Sequence, residues 1–307
     1  MIDVFFDLLV CYNIFYDFNL SNKMFCGVIM KFIKKVKMME EKKLLEKIGF
    51  VYLSAYDKSI ISFVEKEIRS INTGAVIIQN PVSFGIVYGR SLDYLSIISE
   101  ELVTKTAILL SGLEFYQKKH EKHLFSCDLG LKENGVFIRK YGIPDFMDDT
   151  SVVFLSSEHI HALKDTNIDE YKYSGELGDV LSYLFEMILV DKYSIFQKDV
   201  YNARIMELKK SFIDYKNYIN QIKKFKDYKD LYKILMCLAG QSLNSYYYAL
   251  LLYKMYKENP SMILDYVNKI LNHNISTMDM LVELGLYEQD LKEDFKEEID
   301  EIKKILN

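Results

Sequence analysis

The chain after residue 175 shows helical periodicity in one segment after another, and this series most constrains how it can fold. Residues 175–190 are hydrophobic on nearly every side, which is typical of a helix at the centre of a core. Further amphipathic segments lie near 201–224, 228–239, 243–257, 260–272 and 276–285. We expect no strand in this half, so the pattern predicts a large helical body.

The C-terminal tail, residues 288–306, is rich in Glu and Lys but keeps an apolar stripe at helical spacing. The stripe consists of Leu291, Phe295, Ile299, Ile302 and Leu306. An apolar stripe on a charged helix packs more often on its own domain than on another protein. We therefore expect this helix to dock on the helical body.

The first half of the chain mixes strand-like and helical patterns. Residues 26–33 (CGVIMKFI) and 74–82 (GAVIIQNPV) are short apolar runs that are typical of buried strands. Residues 35–50 switch to a helical period, and residues 99–119 predict a long, largely buried helix. A short hairpin is expected near 131–146. Strands and helices are therefore expected to precede the helical body.

Composition and charge argue against two classes of protein. Half of the 307 residues are hydrophobic and 27% are charged, which argues against global disorder. The net charge is −5, and the best basic stretch, KKFKDYKD at 223–230, is short and interrupted by acids. Binding to nucleic acid usually needs a longer basic stripe, so we expect no nucleic-acid partner.

The cysteines and the first residues indicate the compartment. Cys11, Cys26, Cys127 and Cys237 are far apart and form no Cys-x-x-Cys pair, which favours a reducing, cytoplasmic location. The apolar start, MIDVFFDLLVCYNIFY, contains two Asp residues and no basic region, and it is too short to span a bilayer. We therefore expect neither a signal peptide nor a membrane-spanning segment.

The stretch HLFSCDLGLKENGVFIRKYGIPDF, residues 123–146, contains the best candidate site. Asp128 is followed by Asn134, and a short β-type run then leads to Asp145. Carboxylate and amide oxygens are suitable ligands for a hard cation such as Mg²⁺. The same residues are also common in ordinary turns, so the pattern leaves both interpretations open.

Other polar and aromatic residues are expected to be structural. His159 and His161 are predicted to lie at the surface or at a helix start, since neither has a motif that would make it a metal ligand. Residues 246–248 (YYY) fall inside an apolar helix and are expected in the core with wetted hydroxyl groups. No H-E-x-x-H, G-x-S-x-G or Walker motif supports a hydrolase or a P-loop enzyme.

Several short motifs in order give the chain a resemblance to the eukaryotic-type protein kinases. They are VIMK (28–31), EKKLLEKIGF (41–50), AVIIQNP (75–81), SCDLGLKEN (126–134), DFM (145–147), LSSEHI (155–160) and the segment 174–187. These resemble the third strand, the αC helix, the hinge, the catalytic loop, D-F-G, A-P-E and the αF helix. The resemblance spans roughly residues 24–285. The acidic residue that kinases carry at the αF helix would be either Glu176 or Asp179 in this chain.

The resemblance implies an α+β, two-lobed fold, with a small β-rich N-terminal lobe containing one helix and a larger, mainly helical C-terminal lobe. It divides the chain into residues 1–80, residues 81–287 with the catalytic-loop hairpin, and a charged C-terminal helix, residues 288–307. These boundaries follow the order of the matched motifs.

The resemblance also implies transfer of a phosphoryl group from ATP, with Mg²⁺, to a Ser or Thr hydroxyl of a protein substrate. Lys31 would bind the phosphates and Glu41 would orient that lysine. Asp128 would be the catalytic base, while Asp145 and Asn134 would hold Mg²⁺.

The chain departs from the kinase pattern at several positions, and two alternatives therefore stay open. Residues 1–25 contain no glycine, so the glycine-rich loop is missing, and Met147 replaces the glycine of D-F-G. The first alternative is a pseudokinase that acts as a non-catalytic binding or scaffold module. The second is a helical protein-interaction domain unrelated to kinases.

Overall fold

The computed structural model describes residues 55–74, 82–96, 98–111, 114–122, 126–131, 137–148, 150–164, 177, 179–192, 197–222, 229–272, 274–287 and 289–307. Within these residues the chain forms ten helices and three strands. None of the described helices combines the length and the apolar composition needed to cross a lipid bilayer.

The helices are α1 (Ala55–Ser70), α2 (Phe84–Ser96), α3 (Glu100–Ser111), α4 (Ser151–Lys164), α5 (Val180–Lys192), α6 (Gln197–Ile222), α7 (Lys229–Glu258), α8 (Pro260–Leu271), α9 (Thr277–Glu283) and α10 (Lys292–Leu306). The strands are β1 (Glu114–Lys122), β2 (Ser126–Leu131) and β3 (Phe137–Phe146).

The predicted two-lobed kinase-like fold is wrong. The described part of the chain is dominated by helices, which conflicts with a β-rich N-terminal lobe. The strands in this part lie between α3 and α4, in the middle of the chain. The strand predicted at 26–33, the helix predicted at 35–50 and all but the two end residues of the strand predicted at 74–82 lie outside the described residues.

Helix α1 shows why the prediction failed. It falls in the region assigned to the β-rich lobe, yet it carries the apolar residues Ile60, Val64 and Ile68 at intervals of four. Each of these side chains is at most 1% exposed. Side chains at this spacing line one face of a helix. Short kinase-like motifs lie on either side of this segment. They carry less information about the fold than the helical period of the segment itself.

The three strands form one small sheet with the order β1-β3-β2. Strand β1 runs parallel to β3, while β2 pairs with β3 in the antiparallel sense, from Ser126 opposite Gly142 to Leu131 opposite Phe137. The helix predicted over 99–119 instead ends at Ser111, and β1 begins at Glu114. Gly112 follows Ser111 in the sequence, and glycine is a common stop signal for helices.

Helix α5 lies at the centre of the helical body, as the apolar run predicts. Every residue from Val180 to Val190 is buried, and α5 packs against α4, α6 and α7. Helix α4 in turn packs against α2 and α3 on its other side. No strand follows Phe146 among the described residues, which agrees with the helical pattern of the second half.

Helix α7 is a single helix of 30 residues, where the periodicity predicts two segments. Tyr246, Tyr247 and Tyr248 are buried in it to 1% exposure or less, so the predicted core position is confirmed. The prediction of wetted hydroxyl groups is wrong, since the hydroxyl oxygens of all three residues are buried as well.

Helix α10 docks on the body through its apolar stripe. Phe295, Ile299 and Ile302 are buried in the same core as α1 and α7, which confirms the predicted docking. At the rim, Lys254 Nζ lies 2.7 Å from both Asp294 Oδ1 and Glu297 Oε2. These exposed ion pairs add little stability, so burial of the stripe is the main force that holds α10.

Helices α8 and α9 begin where their sequences carry N-cap signals. The Asn259 side chain accepts a hydrogen bond from Met262 N at 3.2 Å, and Pro260 fits the first helical turn. Before α9, Ser276 and Asp279 form a reciprocal capping box. These caps satisfy backbone N–H groups that the first helical turn leaves without partners.

Candidate functional site

The structure does not bring the five predicted site residues together within its described part. Lys31, Glu41 and Asn134 lie outside the described residues. Asp128 lies on β2 and Asp145 lies on β3. The roles assigned to them, and the binding of ATP and Mg²⁺, therefore stay predictions.

The strand register gives the relative position of the two acidic residues. Asp128 pairs with Lys140, and Asp145 follows Lys140 by five residues along β3. At about 3.3 Å per residue, this separates the two backbone positions by about 16 Å along the strand. Asp145 lies where β3 pairs with β1 only. The two residues therefore lie on adjacent strands but are neither paired nor close along the strand direction.

Asp148, three residues after Asp145, is a buried carboxylate that the sequence reasoning missed. Its Oδ1 accepts hydrogen bonds from Thr150 N at 3.0 Å, Thr150 Oγ1 at 2.5 Å and Ser151 N at 3.2 Å. It therefore caps the start of α4, a usual role of aspartate before a helix. The signal was the pattern Asp148-x-Thr-Ser just ahead of an apolar helix.

The strongest buried cluster of charges joins α5 and α6. Arg204 Nε lies 3.1 Å from both carboxylate oxygens of Glu186, and Arg204 Nη2 lies 2.6 Å from Glu186 Oε2. Arg204 Nη1 also donates to Glu207. The side chains of Arg204 and Glu186 are only 6% and 4% exposed, so this ion pair lies in the core.

Aromatic rings complete the environment of Arg204. Its guanidinium carbon lies 4.7 Å from the centre of the Tyr183 ring and 5.4 Å from that of Phe154. Burial alone would lower the pKa of Arg204, but the carboxylates of Glu186 and Glu207 hold it well above its usual value. Burial raises the pKa of Glu186, and the Arg204 guanidinium opposes this rise.

This cluster has the features of a structural ion pair. Glu186 accepts three hydrogen bonds from Arg204, and both side chains are shielded from solvent. A substrate would have to displace these contacts, which a buried and mutually satisfied pair resists. The sequence signal was a single acid, Glu186, within the apolar run LSYLFEMILV, with Arg204 on the next apolar helix.

A second buried polar pair joins α2 and α4. His159 is fully buried, so the predicted surface position is wrong, and its Nε2 lies 3.0 Å from Ser91 Oγ. Ser91 Oγ donates its one hydrogen to the Tyr88 carbonyl oxygen at 2.7 Å, and this favours the His159 tautomer in which Nε2–H donates to Ser91 Oγ. Burial lowers the pKa of His159 to about 3, so the ring is neutral at physiological pH.

This proton arrangement disfavours a catalytic Ser–His pair. A histidine that activates a serine must accept the hydroxyl proton, whereas the tautomer favoured by the Ser91–Tyr88 hydrogen bond carries its proton on Nε2. Both side chains are also completely buried, so no substrate could reach them without movement of α2. We therefore assign Ser91 and His159 to the packing of α2 on α4.

The described residues and the comparisons with known proteins give no further chemical assignment. In the described part of the chain, no group of three His, Cys, Asp or Glu side chains could hold a metal ion. A scan against protein-family models found no matching family, and searches of curated proteins and of solved structures found no significant match.

Proposed function

We propose that this chain is a non-catalytic, mainly helical interaction module that pairs with a second copy of itself through α2. The binding surface, here called the α2 face, consists of Gly85, Ile86, Gly89, Arg90 and Asp93, all of which are exposed. One observation carries the proposal: Ile86 leaves 50% of its surface in solvent on this face. Because single exposed apolar residues are common on protein surfaces, the proposal takes Ile86 together with the two exposed glycines beside it, which extend the uncharged surface of this face.

Two glycines one turn apart form the groove beside Ile86. A Cβ built at Gly85 or Gly89 meets no atom within 4 Å, so no packing among the described residues requires glycine there. Glycine inside a helix costs about 0.5–1 kcal/mol relative to alanine. Close approach of a second helix would offset this cost, because a missing side chain lets two helix axes come together.

The charges of the α2 face favour a second copy as the occupant. Arg90 and Asp93 carry opposite charges and lie three residues apart on the same exposed face. In an antiparallel pair of α2 helices that cross between Arg90 and Asp93, each Arg90 would lie near Asp93 of the other copy, and Gly89 would lie within one turn of the crossing point. Two-fold symmetric pairing through one self-complementary surface is the commonest form of assembly.

The interaction module is better supported than phosphoryl transfer. The kinase hypothesis needs a β-rich lobe above the phosphate site, and the described fold conflicts with that lobe. The polar pairs found in the core, Glu186–Arg204 and Ser91–His159, by contrast, are each joined by hydrogen bonds. We place the module in the cytoplasm, as the wide spacing of the four cysteines suggests.

Replacing Ile86 by glutamine should dissociate the pair, since it removes the exposed apolar side chain at the interface. Sedimentation equilibrium over a range of concentrations would measure the association. The matched control is Val282→Gln, because Val282 is 56% exposed on α9, away from the α2 face. We expect the wild type and the control to dimerise and Ile86→Gln to stay monomeric. A monomeric wild type, or equal dissociation of both variants, would overturn the proposal.

A charge exchange tests the antiparallel geometry. Arg90→Asp should weaken the dimer because it places like charges together, and the double variant Arg90→Asp with Asp93→Arg should restore it. Restoration in the double variant would support the predicted pairing. Failure of the double variant to recover would contradict the antiparallel arrangement.

Gly89→Ala should have opposite effects on stability and on association. The alanine side chain fits without a clash and should stabilise the monomer by about 0.5–1 kcal/mol, measured by urea unfolding at low protein concentration. The same methyl group would fill the groove and weaken the dimer. A variant that associates as tightly as the wild type would show that the groove is not the contact.

A further inference from the structure

Helix α10 occupies a groove that is formed by helices remote from it in sequence. Among the described helices it packs chiefly on α1, α6 and α7 rather than on α8 and α9, which directly precede it. The centre of the buried Phe295 ring lies 5.1 Å from that of Tyr247 on α7 and 5.8 Å from that of Phe63 on α1. We call this surface of α1, α6 and α7 the α10 groove.

Charges at the edge of the α10 groove match those of α10. Lys254 Nζ on α7 lies 2.7 Å from both Asp294 Oδ1 and Glu297 Oε2. Near the other end of α10, Lys303 Nζ lies 3.7 Å from Glu67 Oε2 of α1. Acidic groups near the start of α10 therefore meet a cation of α7, and a cation near its end meets an anion of α1. This pattern fits α10 in one direction only.

The connection into α10 is short. Tyr287 stays on the body, where its ring centre lies 6.4 Å from that of Tyr248, and Leu291 already packs against the core. Between them Gln289 and Asp290 are exposed, and Leu291 N donates a hydrogen bond to Gln289 O at 3.1 Å, which closes a three-residue turn. Such a connection favours exchange of the element that follows it, because it restricts how that element folds back onto its own chain.

From the groove, its charges and this connection, we infer that α10 is an exchangeable helix, which enters the α10 groove of a second copy when two chains fold together. The turn opens at Gln289 and Asp290, and the two copies exchange their α10 helices reciprocally. Every contact of α10 with the groove is then the same as within one chain, so only the connection differs. The exchanged dimer is independent of the pair formed through the α2 face.

Exchange needs an empty α10 groove. Undocking of a folded α10 would bring Phe295, Ile299 and Ile302 out of the core, so a folded chain keeps its own α10 in native buffer. Two chains that fold side by side meet before either groove is filled. We therefore expect exchanged dimers after refolding at high protein concentration and unexchanged chains after refolding at low concentration.

Reversed charges in two full-length chains test the reciprocal geometry. One chain carries Lys254→Glu, the other carries Asp294→Lys with Glu297→Lys, and both carry Ile86→Gln so that the α2 face does not contribute. Each chain alone places like charges together, whereas an exchanged heterodimer pairs opposite charges in both grooves. After the two chains are refolded together from urea, native mass spectrometry should find heterodimers at least about threefold above the random proportion.

The matched control reverses charges on α10 that face away from the groove. Lys304 and Glu301 pair with each other on α10 and are 70% and 60% exposed. Chains with Lys304→Glu and with Glu301→Lys, in the same Ile86→Gln background, should associate in the random proportion. Random association of the groove variants, an equal excess in the control, or no dimers at all would overturn the proposal.

A longer connection tests the turn separately. Insertion of Gly-Ser-Gly-Ser between Gln289 and Asp290 lets α10 fold back onto its own chain and should lower the yield of exchanged dimer at least about threefold after the same refolding. The insertion leaves the α2 face unaltered. Sedimentation in native buffer therefore reports on the α2 pair, and refolding of Ile86→Gln chains reports on exchange. An equal dimer yield with and without the insertion would contradict exchange at this connection.

Discussion

Replacing Arg204 by methionine should lower the free energy of unfolding by about 3–5 kcal/mol, one of the two largest effects that we expect from one substitution. The methionine would fill most of the volume but would leave Glu186 buried without its three hydrogen bonds. Glu186 would then have to become protonated or draw in water. Urea unfolding at neutral pH would measure the loss.

Two controls separate this effect from the loss of side-chain volume. The double variant Glu186→Leu with Arg204→Met removes both charges and should recover most of the stability, because an apolar pair can replace a buried ion pair. Arg69→Met breaks the exposed Arg69–Glu65 pair on α1 and should cost less than about 1 kcal/mol. If Arg204→Met cost no more than Arg69→Met, the buried pair would not stabilise the core.

Acid should destabilise the protein through His159, and His159→Gln should remove that part of the pH dependence. Burial lowers the pKa of His159 to about 3 in the folded chain, while an unfolded histidine titrates near 6.5. As the pH falls, the histidine of the unfolded state therefore binds a proton before the histidine of the folded state does. The stability from the neutral ring is fully present above pH 6.5 and is lost as the pH falls toward 3.

The size of this effect follows from the two pKa values. One pKa unit corresponds to about 1.4 kcal/mol, so the stability that is lost through His159 reaches about 4–5 kcal/mol at the acid end of the window. Glutamine can still donate a hydrogen bond to Ser91 but does not titrate. Urea unfolding of the wild type and of His159→Gln across this pH range should show that the free energy of unfolding of the wild type, relative to that of the variant, rises with pH. A folded-state NMR titration of the His159 ring near pH 6.5 would contradict the prediction.

The sequence predicted the helical body because its signal is periodic and long. The apolar run that became α5 and the stripe of Phe295, Ile299 and Ile302 on α10 each repeat over several turns, so single residues cannot obscure them. The end of α3 was predicted too late because the apolar pattern continued past Gly112. A glycine of this kind is a local stop signal that opposes the helix predicted by the apolar periodicity. Its effect is easily given too little weight.

The candidate site was much harder to predict than the helices. Short motifs such as VIMK and DFM carry little information, and the fold expected from their order conflicts with the helical structure. The buried partners Glu186–Arg204 and Ser91–His159 are 18 and 68 residues apart in sequence. Nothing in one sequence shows which distant polar residues meet, so only the three-dimensional packing reveals these pairs.

The position of α10 has a consequence for synthesis on the ribosome. Phe295 contacts Phe63 of α1, with ring centres 5.8 Å apart, although 232 residues separate them. While α10 is still in the exit tunnel, the apolar side of α1 that receives Phe295 stays uncovered. The nascent chain therefore cannot close this part of its core until α10 has emerged, and the uncovered apolar surface is prone to aggregation in the interval.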